Sequence, residues 1–178
     1  FLAAEWARRL SDRGQNVVLV CKSNFLKHHL DAMISAPNVV ISTIDSANVD
    51  RKRNSIEKYD ALIVDEGQDL FNFSDIEILE SLVEGGLSDG HWCIFHDINH
   101  QSGLFGKVVS EVIEKFIKNY HFSNMPLTTN CRNSAPILKK VQSLLSLDMG
   151  TASIGGDGPK VLEKKVPANQ TLEHALES

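Results

Sequence analysis

Short apolar runs alternate along the chain with segments whose apolar residues recur at helical spacing. Leu2 to about Arg13 carries Ala and Leu at helical intervals and stops at Gly14, placed as a C′ glycine. Val17 to Cys21 then reads as a strand, Phe25 to Ile34 as a helix, and Pro37-Asn38 introduces a second strand from Val39 to Thr43. The polar stretch Asn48 to Lys58 fits either a loop or a short helix. Ala61-Leu62-Ile63-Val64 is too short for a helix and reads as a strand buried on both faces. Ile76, Leu79, Leu82 and Val83 give helical periodicity to Asp75–Val83, which Gly85-Gly86 ends, and Trp92 to Phe95 is a fourth strand. Gly106 to Ile117 gathers Val108, Val109, Val112, Ile113, Phe116 and Ile117 on one face of an amphipathic helix. A polar turn after Leu127 precedes a last long helix from Ala135 to Leu147. Regular alternation of strand and helix predicts an α/β fold, a parallel sheet with helices on both faces.

Glycines crowd the stretch from Gly150 to Pro159, which predicts a linker. Beyond it, Lys160–Val166 and Thr171–Leu176 read as a strand and a short helix, too little for a domain. The expected organisation is a main domain over 1–147, a linker over 148–159, and the truncated start of a second domain over 160–178. The opening residues, Phe1-Leu2-Ala3-Ala4, begin in mid-helix without a Met, as expected of a fragment.

Composition narrows the classes. With 178 residues, 42% hydrophobic and 23% charged, the chain can bury a sizeable core. A net charge of −5 argues against binding nucleic acid through bulk charge, though not through a local groove. Cys21, Cys93 and Cys131 are odd in number and widely spaced, so neither a disulfide framework nor a thiolate zinc site is indicated, and a reducing cytoplasm is the expected setting. No apolar run approaches the ~18 residues of a membrane span, so no membrane partner is expected.

The candidate chemistry begins where the Ala61–Val64 strand runs into Asp65-Glu66-Gly67-Gln68-Asp69. In open parallel sheets ligands bind at the carboxyl ends of strands. Adjacent carboxylates there can divide their work, Asp65 holding Mg²⁺ and Glu66 polarising a water for attack on phosphate, with Gln68 and Asp69 orienting neighbours. An acidic, solvated turn is the plain alternative for a lone Asp-Glu pair.

Two further motifs follow in order. Phe95-His96-Asp97-Ile98-Asn99-His100-Gln101 comes after the next strand, and Leu127-Thr128-Thr129-Asn130-Cys131-Arg132-Asn133-Ser134 precedes a helix. With Val64–Asp69 they resemble motifs II, III and IV of the superfamily 1 DNA helicases of the UvrD/Rep type, and the Asn-Cys-Arg-Asn wording resembles the nuclease-related-domain branch. Upstream, Val17–Asn24 looks like motif Ia and Val40–Ser46 like the following motif that touches single-stranded DNA. The resemblance covers roughly residues 1 to 165. It implies a RecA-like P-loop NTPase core, truncated at its N-terminus, from a protein that hydrolyses ATP to move along single-stranded DNA or a duplex/single-strand junction. It further implies that Asp65 coordinates Mg²⁺, Glu66 activates water, Arg132 reaches the γ-phosphate and Gln68 senses the phosphate state. Asp97, with His100 or Gln101, would contact nucleotide. Ser23, Asn24, Thr43 and Ser46 would contact the DNA backbone, although residues of these types at strand ends also serve as turn and N-cap groups. Arg132 has a plain reading too, as a cap or bridge on a surface helix.

The departures are as informative. The family places Gln three residues after the motif III Asp, and His100 stands there, with Gln101 one further on. His96-x-x-x-His100 also has a metal-like spacing, but without a helix through the turn the pair would not share a face. Phosphate cradling needs a glycine-rich loop with Lys at a helix start, and no Gly-x-x-x-x-Gly-Lys-Ser/Thr occurs in the chain. These residues alone are therefore expected not to hydrolyse ATP, which would need the remaining helicase domains of the same protein. Two rivals remain: a nuclease, from Asp157 and Glu163-Lys164-Lys165, and a non-catalytic nucleic-acid or protein interaction module on a degenerate helicase core.

Overall fold

The computed structural model describes residues 2–97, 106–131, 133–145, 151–152 and 161. The chain divides into two compact units, Phe1–Phe122 and Ser123–Ser178.

In the first unit the elements run α1 (Leu2–Ser11), β1 (Val17–Cys21), α2 (Asn24–Met33), β2 (Val39–Thr43), α3 (Ala47–Arg53), β3 (Ala61–Val64), a 3-10 turn (Gly67–Leu70), α4 (Phe73–Leu82), α5 (Gly86–Asp89), β4 (His91–Ile94) and α6 (Gly106–Asn119). The four strands form one parallel sheet in the order β2-β1-β3-β4. Cys21 lies opposite Thr43, Val20 opposite Val64, and Val64 opposite Ile94. All four strands therefore end at nearly the same level, and the residues that follow them share one edge.

Burial on both faces follows from the strand sequences. β1 and β3 are buried throughout, and their continuous apolar runs act as two interleaved faces. Val18, Val20, Leu62 and Val64 meet Ile44, Ala47, Leu79, Leu82, Val112 and Phe116 on one side. Val17, Leu19, Cys21, Ile41, Ala61 and Ile63 meet Ala3, Ala4, Ala7, Leu10 and Leu30 on the other. The expected α/β architecture, a parallel sheet covered on both faces, is what forms. Among the described residues no helix is long and apolar enough to cross a membrane.

Local chemistry sets the element ends. The Ser23 hydroxyl accepts from Phe25 N (3.2 Å) and Leu26 N (3.4 Å) and starts α2. Asn72 does the same for α4, its side chain accepting from Asp75 N at 2.9 Å, so that helix begins two residues before the expected Asp75. The stretch left open between loop and helix contains α3. The Gly85-Gly86 stop also starts α5, a four-residue helix that sequence periodicity does not reveal. The fourth strand is His91–Ile94 instead of Trp92–Phe95, although Phe95 N still donates to Val64 O at 2.9 Å.

The second unit contains β5 (Thr129–Asn130), α7 (Ala135–Leu145) and β6 (Thr151–Ala152), with β5 and β6 parallel. The glycine-rich stretch expected as a linker thus holds a short strand. The strand expected at Lys160–Val166, apart from Val161, and the helix at Thr171–Leu176 lie outside the described residues.

Candidate functional site

The acid turn grows directly out of β3. Asp65 N donates to Val20 O at 3.0 Å, extending the ladder by one residue and leaving the Asp65 carboxylate half-buried at the sheet edge. The chain then reverses at Glu66, whose backbone is left-handed at φ 54°, ψ 48°. A residue with a side chain stands there at a cost of about 1 kcal/mol or more, so the surroundings must hold it. Three bonds do so. Gly67 N donates to Phe95 O at 2.8 Å, Asp69 N to Glu66 O at 3.0 Å, and Gln68 Nε2 to Glu66 Oε2 at 2.5 Å. Gly67 is required because an added Cβ would overlap Ile94 Cγ2 and press on Phe95 O at 3.2 Å.

Gln68 connects this turn to the next one. Its side chain, in a residue only 4% exposed, donates to Glu66 and accepts from Asp97 N at 3.0 Å. The turn after β3 and the segment after β4 are thereby one hydrogen-bonded unit, with Glu66 and Asp97 both at the surface. The Asp69 carboxyl titrates above its ordinary value, first through desolvation and then through the negative Glu66, while Lys22 pulls the other way. His96 stands edge-on to Phe71, ring centroids 5.8 Å apart, and desolvation lowers its pKa, favouring the neutral ring.

Of the expected strand contacts, Ser23 serves as the α2 cap. Ser46 joins a hydroxyl network: its Oγ lies 2.9 Å from Ser42 Oγ and 3.0 Å from Thr43 Oγ1 and donates to Asp50 Oδ2 at 2.9 Å. Ser42 donates to the same Asp50 oxygen at 2.6 Å, and Thr43 is buried. Asn24 is exposed, and its carbonyl lies 2.7 Å from His28 Nδ1. Ser23 and Asn24 follow β1, Thr43 ends β2 and Ser46 follows it, all on the same edge as Asp65, but the hydroxyls of Ser23, Thr43 and Ser46 are engaged in turn and cap contacts.

Sequence reasoning assigned no role to Lys22, which the fold makes central to this edge. Its ammonium lies 3.3 Å from Asp75 Oδ2, at the start of α4, and 3.7 Å from Asp45 Oδ1, after β2. Asn72 Nδ2 donates to the same Asp75 oxygen at 2.7 Å. The available signal was a lysine placed immediately after a buried strand, at the edge where ligands bind. Phe25, in the first turn of α2, is the second residue missed, at 86% exposure.

Asp45, Asp65, Glu66, Asp69 and Asp97 thus follow the strands onto one edge, with Lys22 and its buried partner Asp75 beside them. Among the described residues no group of three or more His, Cys, Asp and Glu could hold a metal by itself. His100, Gln101 and Arg132 lie outside the described residues, as do Asp157 and Glu163-Lys164-Lys165 of the nuclease reading and the second half of the His96-x-x-x-His100 pair. No family model, no curated protein and no solved structure matches the chain.

Proposed function

We propose that this edge is the metal-holding and water-activating half of an ATP site, in the first RecA-like, P-loop NTPase domain of a UvrD/Rep-type DNA helicase or translocase. The observation that carries the reading is the seating of Asp65-Glu66 at the carboxyl end of β3, with Gln68 fixing the Glu66 carboxylate.

The donor set fits Mg²⁺. That ion is ordinarily held by one or two carboxylates together with substrate phosphates, not by an all-protein cage. Asp65, half-buried at a strand end, supplies such a carboxylate, whereas the imidazole and thiolate sets favoured by zinc are not assembled among the described residues. Mg²⁺ bound with ATP would neutralise phosphate charge. Glu66, exposed beside it, is the base that takes a proton from the attacking water. Gln68, buried and bonded to both Glu66 and Asp97 N, would keep the phosphate-sensing role that the resemblance gives it by acting through the Glu66 carboxylate. Asp97 and His100 or Gln101 after β4, and Arg132, keep the nucleotide-contacting roles that the motif resemblance gives them. Single-stranded DNA would cross the same edge near Ser23, Asn24, Thr43 and Ser46. No Gly-x-x-x-x-Gly-Lys-Ser/Thr loop occurs among these 178 residues, so the proposed hydrolysis would need a phosphate-gripping loop supplied from outside them.

The test is DNA-stimulated ATP hydrolysis by the full-length protein. Glu66→Gln is expected to lower turnover by at least about 100-fold while DNA binding persists. Turnover that survives this substitution sinks Glu66 as the base, and a full-length protein without a phosphate loop sinks the ATPase reading.

A further inference from the structure

Lys22 has unequal partners. The Asp75 side chain is 7% exposed, lies 3.3 Å from the ammonium and accepts from Asn72; the Asp45 side chain is 76% exposed and lies 3.7 Å away. A buried carboxylate needs its cation, whereas an exposed pair at that distance contributes little. The Lys22 side chain is itself 41% exposed, and among the described residues its ion-pair partners are Asp75 and Asp45. An anion arriving from solvent can replace Asp45 without taking Lys22 from Asp75.

We propose that Asp45 is a built-in competitor for a phosphodiester contact made by Lys22, a loose internal anion that an incoming nucleic-acid strand displaces. The inference rests on the reading of this edge as a nucleic-acid surface and adds a regulated contact to it. A strand fits better than a free nucleotide because Phe25, three residues on in the first turn of α2, is 86% exposed, and an exposed aromatic ring after the same strand offers a base a face to stack on. Exchanging one carboxylate for one phosphate at the same lysine changes the free energy little, so the grip is readily made and released.

The experiment measures fluorescence anisotropy of a labelled oligothymidylate with the 178-residue chain and its Asp45→Asn, Lys22→Gln and double variants. Removing the competitor is expected to tighten binding about 3- to 10-fold at low salt, an advantage that shrinks as salt screens the pair. Lys22→Gln is expected to weaken binding and to abolish the Asp45→Asn gain. Because Asp45 is exposed, its substitution should preserve the fold, so the first comparison stands even if Lys22→Gln unfolds. An oligonucleotide that binds equally or more weakly after Asp45→Asn overturns the competitor role and leaves the strand-contact reading intact. A gain seen with ATP·Mg²⁺ but not with the oligonucleotide also overturns it. No binding by any variant at low salt removes the strand-contact reading itself, and the competitor with it.

Discussion

Gln68 reaches Glu66 Oε2 with its amide nitrogen at 2.5 Å while its amide oxygen accepts from Asp97 N, so one buried side chain fixes an exposed acid and the segment after β4. An amide alone can do both, since it carries donor and acceptor at opposite corners. Gln68→Glu replaces the donor with a second negative charge beside Glu66. Gln68→Leu leaves Asp97 N and Glu66 without their Gln68 contacts. Each is expected to destabilise the protein by about 1–3 kcal/mol, with Gln68→Glu the worse near neutral pH. Urea unfolding checks this, and midpoints unchanged in both variants would show that the clamp contributes nothing.

Gly67 is the point where the acid turn touches β4. An alanine methyl would meet Ile94 Cγ2 and the Phe95 carbonyl, pushing apart two turns that the Gly67–Phe95 bond joins. Gly67→Ala is expected to cost about 1–3 kcal/mol through overpacking. Ile94→Ala removes the first of the two obstructions. In the double variant the alanine should therefore cost clearly less than it does beside Ile94, a non-additivity read from a thermal double-mutant cycle. Strict additivity would mean that Ile94 does not set the constraint.

The strands were legible from short apolar runs with turn residues at their ends: Val17–Cys21 and Ala61–Val64 are apolar and buried throughout, and Val39–Ile41 leads β2 before its polar Ser42-Thr43 end. α3 was ambiguous because Ala47–Arg53 is almost wholly polar, and α5 was hidden because glycines that stop one helix also start the next. The acid turn could be found from Asp65 and Glu66. What holds it could not, since Gln68 answers to a backbone N–H 29 residues away and Lys22 to a carboxylate 53 residues away. Sheet register creates both pairings, and no local spacing encodes register between non-adjacent crossovers.

Asp75 offers a test of that long-range electrostatics. Its nearly buried carboxylate has the Lys22 ammonium on one side and Asn72 on the other. Lys22→Met should cost about 1–3 kcal/mol, because a buried anion is left with one hydrogen-bonding partner fewer and no adjacent cation. Asp75→Asn in the same background should recover part of that loss by removing the charge. A double variant no more stable than Lys22→Met alone would show that the lysine contributes through packing of its methylenes and not through charge.

Alkaline pH should unfold the protein through two buried groups that resist ionisation. Burial pushes the Cys21 thiol up to about 11 from 9.0 and the Tyr59 phenol up to about 12 from 10.0. Both are neutral when protonated, and the folded state keeps each proton at pH values where the unfolded chain has already released it. Stability from these groups is therefore fully present below about pH 9 and falls as pH rises through the folded values near 11 and 12. Among the described residues the buried Tyr59 hydroxyl has no hydrogen-bond partner, so Tyr59→Phe removes an unsatisfied polar atom as well as a titrating one. It is expected to be neutral or stabilising by up to about 1 kcal/mol near pH 7, and to remove the Tyr59 share of the alkaline loss while leaving that of Cys21 and of Cys93 and Tyr120, whose pKa values are also raised, first by desolvation. Urea midpoints measured across the alkaline range decide the matter. A Tyr59→Phe curve parallel to that of the parent above pH 10 would mean that the phenol takes no part.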